Sequence, residues 1–221
     1  MPAACERLSL PVCRHLQVAL QVTRMKSRTW RGAGVAEDEG MRSILALAVV
    51  LGCGRTTLAT PPPDVRVWES RDSSHISEGE TTLDVDPDVA YAAAIDYPMW
   101  SSIFPDIVQV DVTKQQGVDA RVTLVHHAGN RDNVHFHNQP GARMVWFEDT
   151  GGRAEVWAEI VFAPGDRAGT TRVHSRLFAD VHGIASLVMT NRKLRSLRED
   201  RIASDLSHLH TYFAAKHIAS R

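Results

Sequence analysis

From residue 65 onward, apolar and polar residues alternate along the chain in short runs, and near the C-terminus the period changes. Ile76–Val85 alternates with a period of two, the pattern of a strand buried on one face, and Val65–Glu69 reads as a shorter strand before it. Ile107–Lys114, Val118–His127, Asn133–Asn138, Ala142–Asp149, Ala154–Ala163 and Thr170–His182 repeat the pattern. Gly129-Asn130, Pro140-Gly141, Gly151-Gly152 and Pro164-Gly165 supply turns between them. Regular spacing with tight turns predicts an antiparallel meander. From Ile184 to about Lys216 there is neither Pro nor Gly, and Leu187, Leu194, Leu197, Leu206, Leu209 and Phe213 recur at helical spacing. Thirty helical residues would extend about 45 Å and cross the whole sheet. The apolar positions do not hold a strict heptad, so a helix packed on its own sheet is preferred to a coiled coil.

Between the first long strand and the next lies Asp86–Asp106, which reads as two short helices. Asp86 is placed to accept the free N–H groups of an opening turn, and Pro87 follows where its missing N–H is harmless. Val89, Ala93 and Ile95 are expected on the apolar side. After the break at Tyr97-Pro98 come Trp100, Ile103 and Phe104, closed by Pro105. So large an apolar cluster on so short a segment requires a deep surface to bury against.

Composition changes this picture mainly at the N-terminus. The 221 residues are 6% aromatic with a net charge of −1, which gives no basic excess for a nucleic-acid surface. Met41-Arg42-Ser43, the apolar run Ile44 to Leu51 and then Gly52-Cys53 make a short basic start, an apolar stretch and a small residue, as in a secretory signal. The run is too short to span a bilayer. Val50-Leu51-Gly52-Cys53 resembles a bacterial lipobox, which implies lipidation at Cys53 and a place on the bacterial cell envelope, on the periplasmic side or at the outer membrane. A short buried helix with an incidental cysteine is the alternative. On the lipobox reading, residues 1–40 precede the true start at Met41 and are a mis-annotated or disordered extension. Residues 41–53 are then the signal and lipobox, and 54–64 a Pro- and Thr-rich tether of extended character. Residues 65–217 form the folded domain. Residues 41–221 would carry 19 basic and 22 acidic groups, net −3, with Cys53 the only cysteine and hence no disulfide framework.

The order of strand, two small helices, six strands and one long C-terminal helix resembles the START-like (SRPBCC) superfamily. Asp96-Tyr97-Pro98-Met99-Trp100 followed by Ile103-Phe104-Pro105-Asp106 is similar to the Asp-Tyr-x-x-Trp-x-x-Phe-x-Pro pattern of its polyketide cyclase/dehydrase and coenzyme Q-binding branch, with the second part displaced by one step. Gly169-Thr170-Thr171-Arg172-Val173 also matches a frequent pattern there. The resemblance covers about residues 75–215. It implies an α+β helix-grip fold, a curved antiparallel sheet of about six to seven strands wrapped around the long helix. It also implies a cavity between sheet and helix for a hydrophobic small molecule: a lipid, quinone or polyketide-like compound. Trp100, Phe104, Leu124, His126, Phe136, Ile160 and Leu194 are the expected lining, with no cofactor and no metal. Two other readings stay open. One is a cyclase or aromatase working in the same cavity, and the other is a protein-interaction module using the outer sheet face around Trp157.

Register decides which histidines face that cavity. An odd-length loop after His127 would set Leu124 opposite Phe136 and His126 opposite Val134, keeping apolar residues on one side. His126 would then point inward, as a ligand hydrogen-bond partner, a general base, or a cavity-edge histidine satisfied by the fold. His127, His135 and His137 would point outward. Although His135 and His137 share a side with His127 close across the hairpin, no carboxylate or cysteine of fitting spacing joins them, so surface histidines are preferred to a metal site. Asp96 and Asp106 are explained by capping and turns. Ser101 and Ser102 lack a nucleophile-elbow context, and there is no phosphate loop. Arg192, Lys193, Arg195, Arg198 and Arg201 read as the solvated face of the long helix, with contact to anionic lipid head groups as the alternative.

Overall fold

A computed structural model describes Pro62 and residues 64–150, 154–181 and 189–219, with side chains as far as Lys216. Cys53, the signal-like segment and most of the tether lie outside the described residues. The elements are β1 (Arg66–Glu69), β2 (Ile76–Leu83), α1 (Pro87–Ile95), a 3-10 turn (Tyr97–Met99), α2 (Trp100–Ile103), β3 (Ile107–Gln116), β4 (Asp119–His126), β5 (Arg131–Gln139), β6 (Met144–Asp149), β7 (Ala154–Pro164), β8 (Thr171–Val181) and α3 (Asn191–Ala219). All eight strands join one sheet in the order β1-β2-β8-β7-β6-β5-β4-β3, and every neighbouring pair is antiparallel. The short strand before Ile76 is therefore a full member, and the sheet has one strand more than the six or seven expected.

Local chemistry accounts for the helix ends. Asp86 Oδ1 accepts the Asp88 N–H at 2.9 Å and opens α1, with Pro87 in the first turn. The apolar side of α1 is Pro87, Ala90, Tyr91 and Ala94, spaced at three and four residues. Val89, expected on that side, is 54% exposed, because the turn is phased by Tyr91 packing its ring 6.3 Å from that of Phe162. The long helix begins at Asn191, later than the expected Ile184. Met189 and Thr190 precede it, and the Leu194 N–H bonds the Thr190 carbonyl at 3.0 Å.

Strand alternation places one row of each strand on the face that α3 covers. Thr81, Val173 and Phe162 are successive partners across β2, β8 and β7, and all are buried. Helix α3 packs on β1, β2 and β8. Its contact with β2 is very close at Gly79, where a Cβ would stand 2.3 Å from Ile202 Cγ2 and 3.1 Å from Leu206 Cδ1. Only glycine admits the helix at this depth. At the other end of the sheet, α2 bridges β3 and α3.

The β4–β5 hairpin corrects the expected register. The His126 N–H bonds the Asn130 carbonyl at 3.0 Å and closes a loop of three residues, His127 to Gly129, in which Gly129 adopts φ +80°. The odd parity holds, so the apolar faces agree, but the pairs are Leu124 with Asp132, Val122 with Val134 and Ala120 with Phe136. The tighter loop moves each β4 residue four positions along from the partner expected for it. His137 stands opposite Asp119 and His135 opposite Arg121, which leaves His127 in the loop and away from both.

Candidate ligand-binding face

Aromatic side chains from three segments converge on the inner face of the sheet. Trp100 lies edge-on to Phe104 with ring centroids 5.2 Å apart and to Phe136 at 5.1 Å. Phe136 also meets Tyr97 at 4.5 Å and Phe147 at 5.3 Å. Such offset and edge contacts stabilise a cluster beyond the area it buries. Its polar atoms are satisfied: Trp100 Nε1 donates to the Ala94 carbonyl at 3.0 Å, and Asn138 Nδ2 donates to the Tyr97 hydroxyl at 2.8 Å. Burial pushes that hydroxyl up to about 12, so it stays protonated. Leu124, Ile160 and Leu194 join the same core, Ile160 from β7 and Leu194 from the first turns of α3.

Beside this cluster runs a chain of charges that ties the sheet edge to α3. His126 is 7% exposed at the end of β4. Its Nε2 lies 2.8 Å from Asp132 Oδ2 on β5, and its Nδ1 lies 3.5 Å from Asp106 Oδ2 just before β3. Arg201 Nη1 reaches the same Asp106 oxygen at 3.2 Å, and Arg201 Nε reaches Asp205 Oδ2 at 2.9 Å. Hydrogen bonds to Asp106 and Asp132 raise the His126 pKa to about 9 against the opposing effect of burial. Burial disfavours the Asp106 carboxylate, yet His126 and Arg201 outweigh it and hold this group well below the usual carboxylate range. Desolvation opposes the charge on Arg201, but Asp205 and Asp106 raise its pKa further, while burial raises that of Asp205.

This arrangement settles what His126 can do. Nε2 hydrogen-bonds Asp132 and Nδ1 faces Asp106 at ion-pair distance, and both carboxylates favour the imidazolium. An imidazolium paired in this way is a poor general base. His126 does point inward, but as a clamped cation. Asp106 is more than a turn residue, because it is shared between His126 and Arg201. Arg201 is half-buried, and Arg198 is 1% exposed, so neither belongs to a solvated face. Arg198 donates to Ser77 Oγ at 3.3 Å and to the carbonyls of Ala179 at 3.3 Å and Ser74 at 2.7 Å. A signal for this was present in the sequence: Arg198 follows Leu194 by four residues and precedes Ile202 by four, on the apolar stripe itself.

On the outer face, carboxylates do join the histidines. Asp119 Oδ1 lies 2.9 Å from His137 Nδ1 and 3.6 Å from His135 Nε2, and Glu148 Oε1 lies 3.4 Å from His135 Nδ1. No group of three His, Cys, Asp or Glu among the described residues is placed to hold a metal ion. Trp157 is half-buried and stacks on Phe178 with centroids 5.4 Å apart and planes 4° from parallel.

Neither a family model nor a curated protein sequence matches the chain. Solved structures do. A START superfamily protein from Mycobacterium smegmatis superposes with a TM-score of 0.54 at 9% identity, covering 64% of this chain and 99% of that one. The fold is START-like. An aromatase/cyclase from a Streptomyces species matches with a TM-score of 0.53 at 15% identity over 71% of this chain and 96% of its own. A STAR-related lipid transfer protein from Xanthomonas axonopodis does so with 0.53 at 14%, over 71% and 97%. The START-like fold accounts for both the sheet order and the single long helix laid across it.

Proposed function

We propose that this START-like domain binds a hydrophobic small molecule (a lipid, a quinone or a polyketide-like compound) between the inner face of the sheet and α3. The observation that carries the reading is the aromatic cluster of Trp100, Phe104 and Phe136 on the inner face of the sheet. An apolar ligand gains roughly 25 cal/mol per Å² of buried surface before ordering costs, and a lining of this kind supplies that surface. Solved structures of the same fold include a lipid transfer protein as well as aromatase/cyclases, so the fold supports either use. Lipidation at Cys53 would tether the domain to a bacterial envelope membrane, where poorly soluble ligands reside.

Native mass spectrometry and organic extraction of the full chain test the first part. A co-purifying hydrophobic molecule is the expected result, and a protein that neither carries one nor takes up an added apolar probe contradicts it. For the anchor, Cys53→Ser should move the protein from the membrane to the soluble fraction of a bacterial host. Unchanged partition would remove that part of the reading.

A further inference from the structure

Among the described residues, five buried side-chain nitrogen or oxygen atoms have no hydrogen-bond partner: Thr81 Oγ1, the Tyr91 and Tyr212 hydroxyls, Arg176 Nε and His208 Nδ1. Arg176 Nε faces Glu78 at 3.6 Å on the outer side of the sheet and so has a charge partner. Two of the other four are nine-tenths buried or more. Thr81 is 1% exposed and Tyr91 is 7% exposed. Burying a hydroxyl without a partner destabilises a fold, so such groups call for a reason.

Their positions supply one. Thr81 pairs with Val173, Val173 pairs with Phe162, and the Tyr91 ring stands 6.3 Å from the Phe162 ring. At ordinary strand spacing, Thr81 and Phe162 are about 10 Å apart, and Tyr91 stands over the Phe162 end of that span of the inner face. Ser77 meets Arg198, and Gly79 meets Ile202 and Leu206. Strand β2 and helix α3 thus run in the same direction, and Thr81 lies one step further on, towards the C-terminal half of α3. The other two unpartnered atoms, on His208 and Tyr212, belong to that half, and the His208 ring is 6.3 Å from Phe104. Burial pushes the Tyr91 hydroxyl up, which keeps it a neutral donor and acceptor.

We infer that Thr81 and Tyr91 form the polar end of the ligand site, which recognises a neutral hydroxyl or carbonyl on an otherwise apolar molecule. The inference rests on the proposed ligand-binding function and adds the class of ligand. The apolar body would lie along the aromatic cluster, and a hydroxyl or carbonyl on it would complete a hydrogen bond that the fold leaves open.

The test compares 2-naphthol with naphthalene at pH 7, both titrated into the full chain, in the wild type and in Thr81→Val and Tyr91→Phe variants. The wild type should bind naphthol about tenfold more tightly, the ratio expected for one added hydrogen bond. Each variant should lose that preference while keeping its affinity for naphthalene. Without ligand, each variant should melt at a temperature at least as high as the wild type, by up to roughly 2–4 °C, because an unpartnered polar atom has been removed. Equal affinities in the wild type, or a preference that survives both substitutions, would overturn the inference while leaving the ligand-binding function in place. If both variants melt lower than the wild type, the hydroxyls are partnered within the fold and the inference fails. If neither probe binds, the ligand-binding function and the inference fail together.

Discussion

Arg198 and Arg201 stand three residues apart on α3, yet they fasten the helix to the sheet by different chemistry. Arg198 reaches β2, β8 and the loop before β2 and bonds only neutral oxygens. Burial makes the charged form of Arg198 harder to hold, with Glu69 and Glu199 offsetting this from a distance. Arg201 turns towards the other end of the sheet and enters a chain of carboxylates that ends at His126 and Asp132. A guanidinium does not titrate in the physiological range, whereas an imidazole does. One helix therefore has a pH-indifferent fastening on the β2–β8 side and a pH-dependent one on the β3–β5 side.

The largest way to break this contrast is at the second fastening. His126→Ala leaves the Asp132 carboxylate buried and Asp106 with Arg201 alone, and should cost about 3–5 kcal/mol in urea unfolding. A full recovery of stability in that variant would show the chain to be ornamental. The pH dependence is the next effect. His126 has a raised pKa, so its contribution is complete below the unfolded value of 6.5 and is lost as pH rises through about 9. That loss amounts to about 3 kcal/mol and should vanish in His126→Gln. Asp106 works in the opposite sense: its pKa is depressed, so its contribution is present above 3.8 and is lost on strong acidification. The second fastening is therefore strongest between about pH 4 and 6.5.

Arg198→Met should cost about 2 kcal/mol by leaving three buried oxygens short of a donor, and the cost should be the same at pH 6.5 and pH 9. A cost that changes across that range would dissolve the distinction between the two sites. Smallest of all is Asp119→Asn on the outer face. Its pairing with His137 and His135 is exposed and solvent-screened, so the change should leave the urea unfolding midpoint almost unmoved.

What the sequence made legible follows the range of the forces involved. The strands, the Asp86 cap and the long helix depend on period and on near neighbours, and their bounds agree with expectation within a few residues, apart from the start of α3. Trp100, Phe104 and Phe136 were expected together and are in ring contact. Asp132 has no local signal because its role depends on the hairpin register: opposite Leu124 it reaches His126, and four residues away it would not. Arg198 and Arg201 read as surface residues by charge, whereas helical phase sets Arg198 on the apolar stripe with Leu194 and Ile202. Thr81 and Tyr91 carry no local signal at all, since what marks them is a partner they lack.

The three-residue loop from His127 to Gly129 has a consequence of its own. Surface loops ordinarily tolerate insertion and deletion. This one counts in odd and even numbers, because each residue added or removed turns β5 over relative to β4. Deleting Ala128 alone would carry Asp132 to the opposite side from His126 and strand a cation in the core. Adding two residues would preserve the facing while stretching the pair apart. Divergent sequences built on this hairpin should therefore change its loop in steps of two, or change His126 and Asp132 together with it.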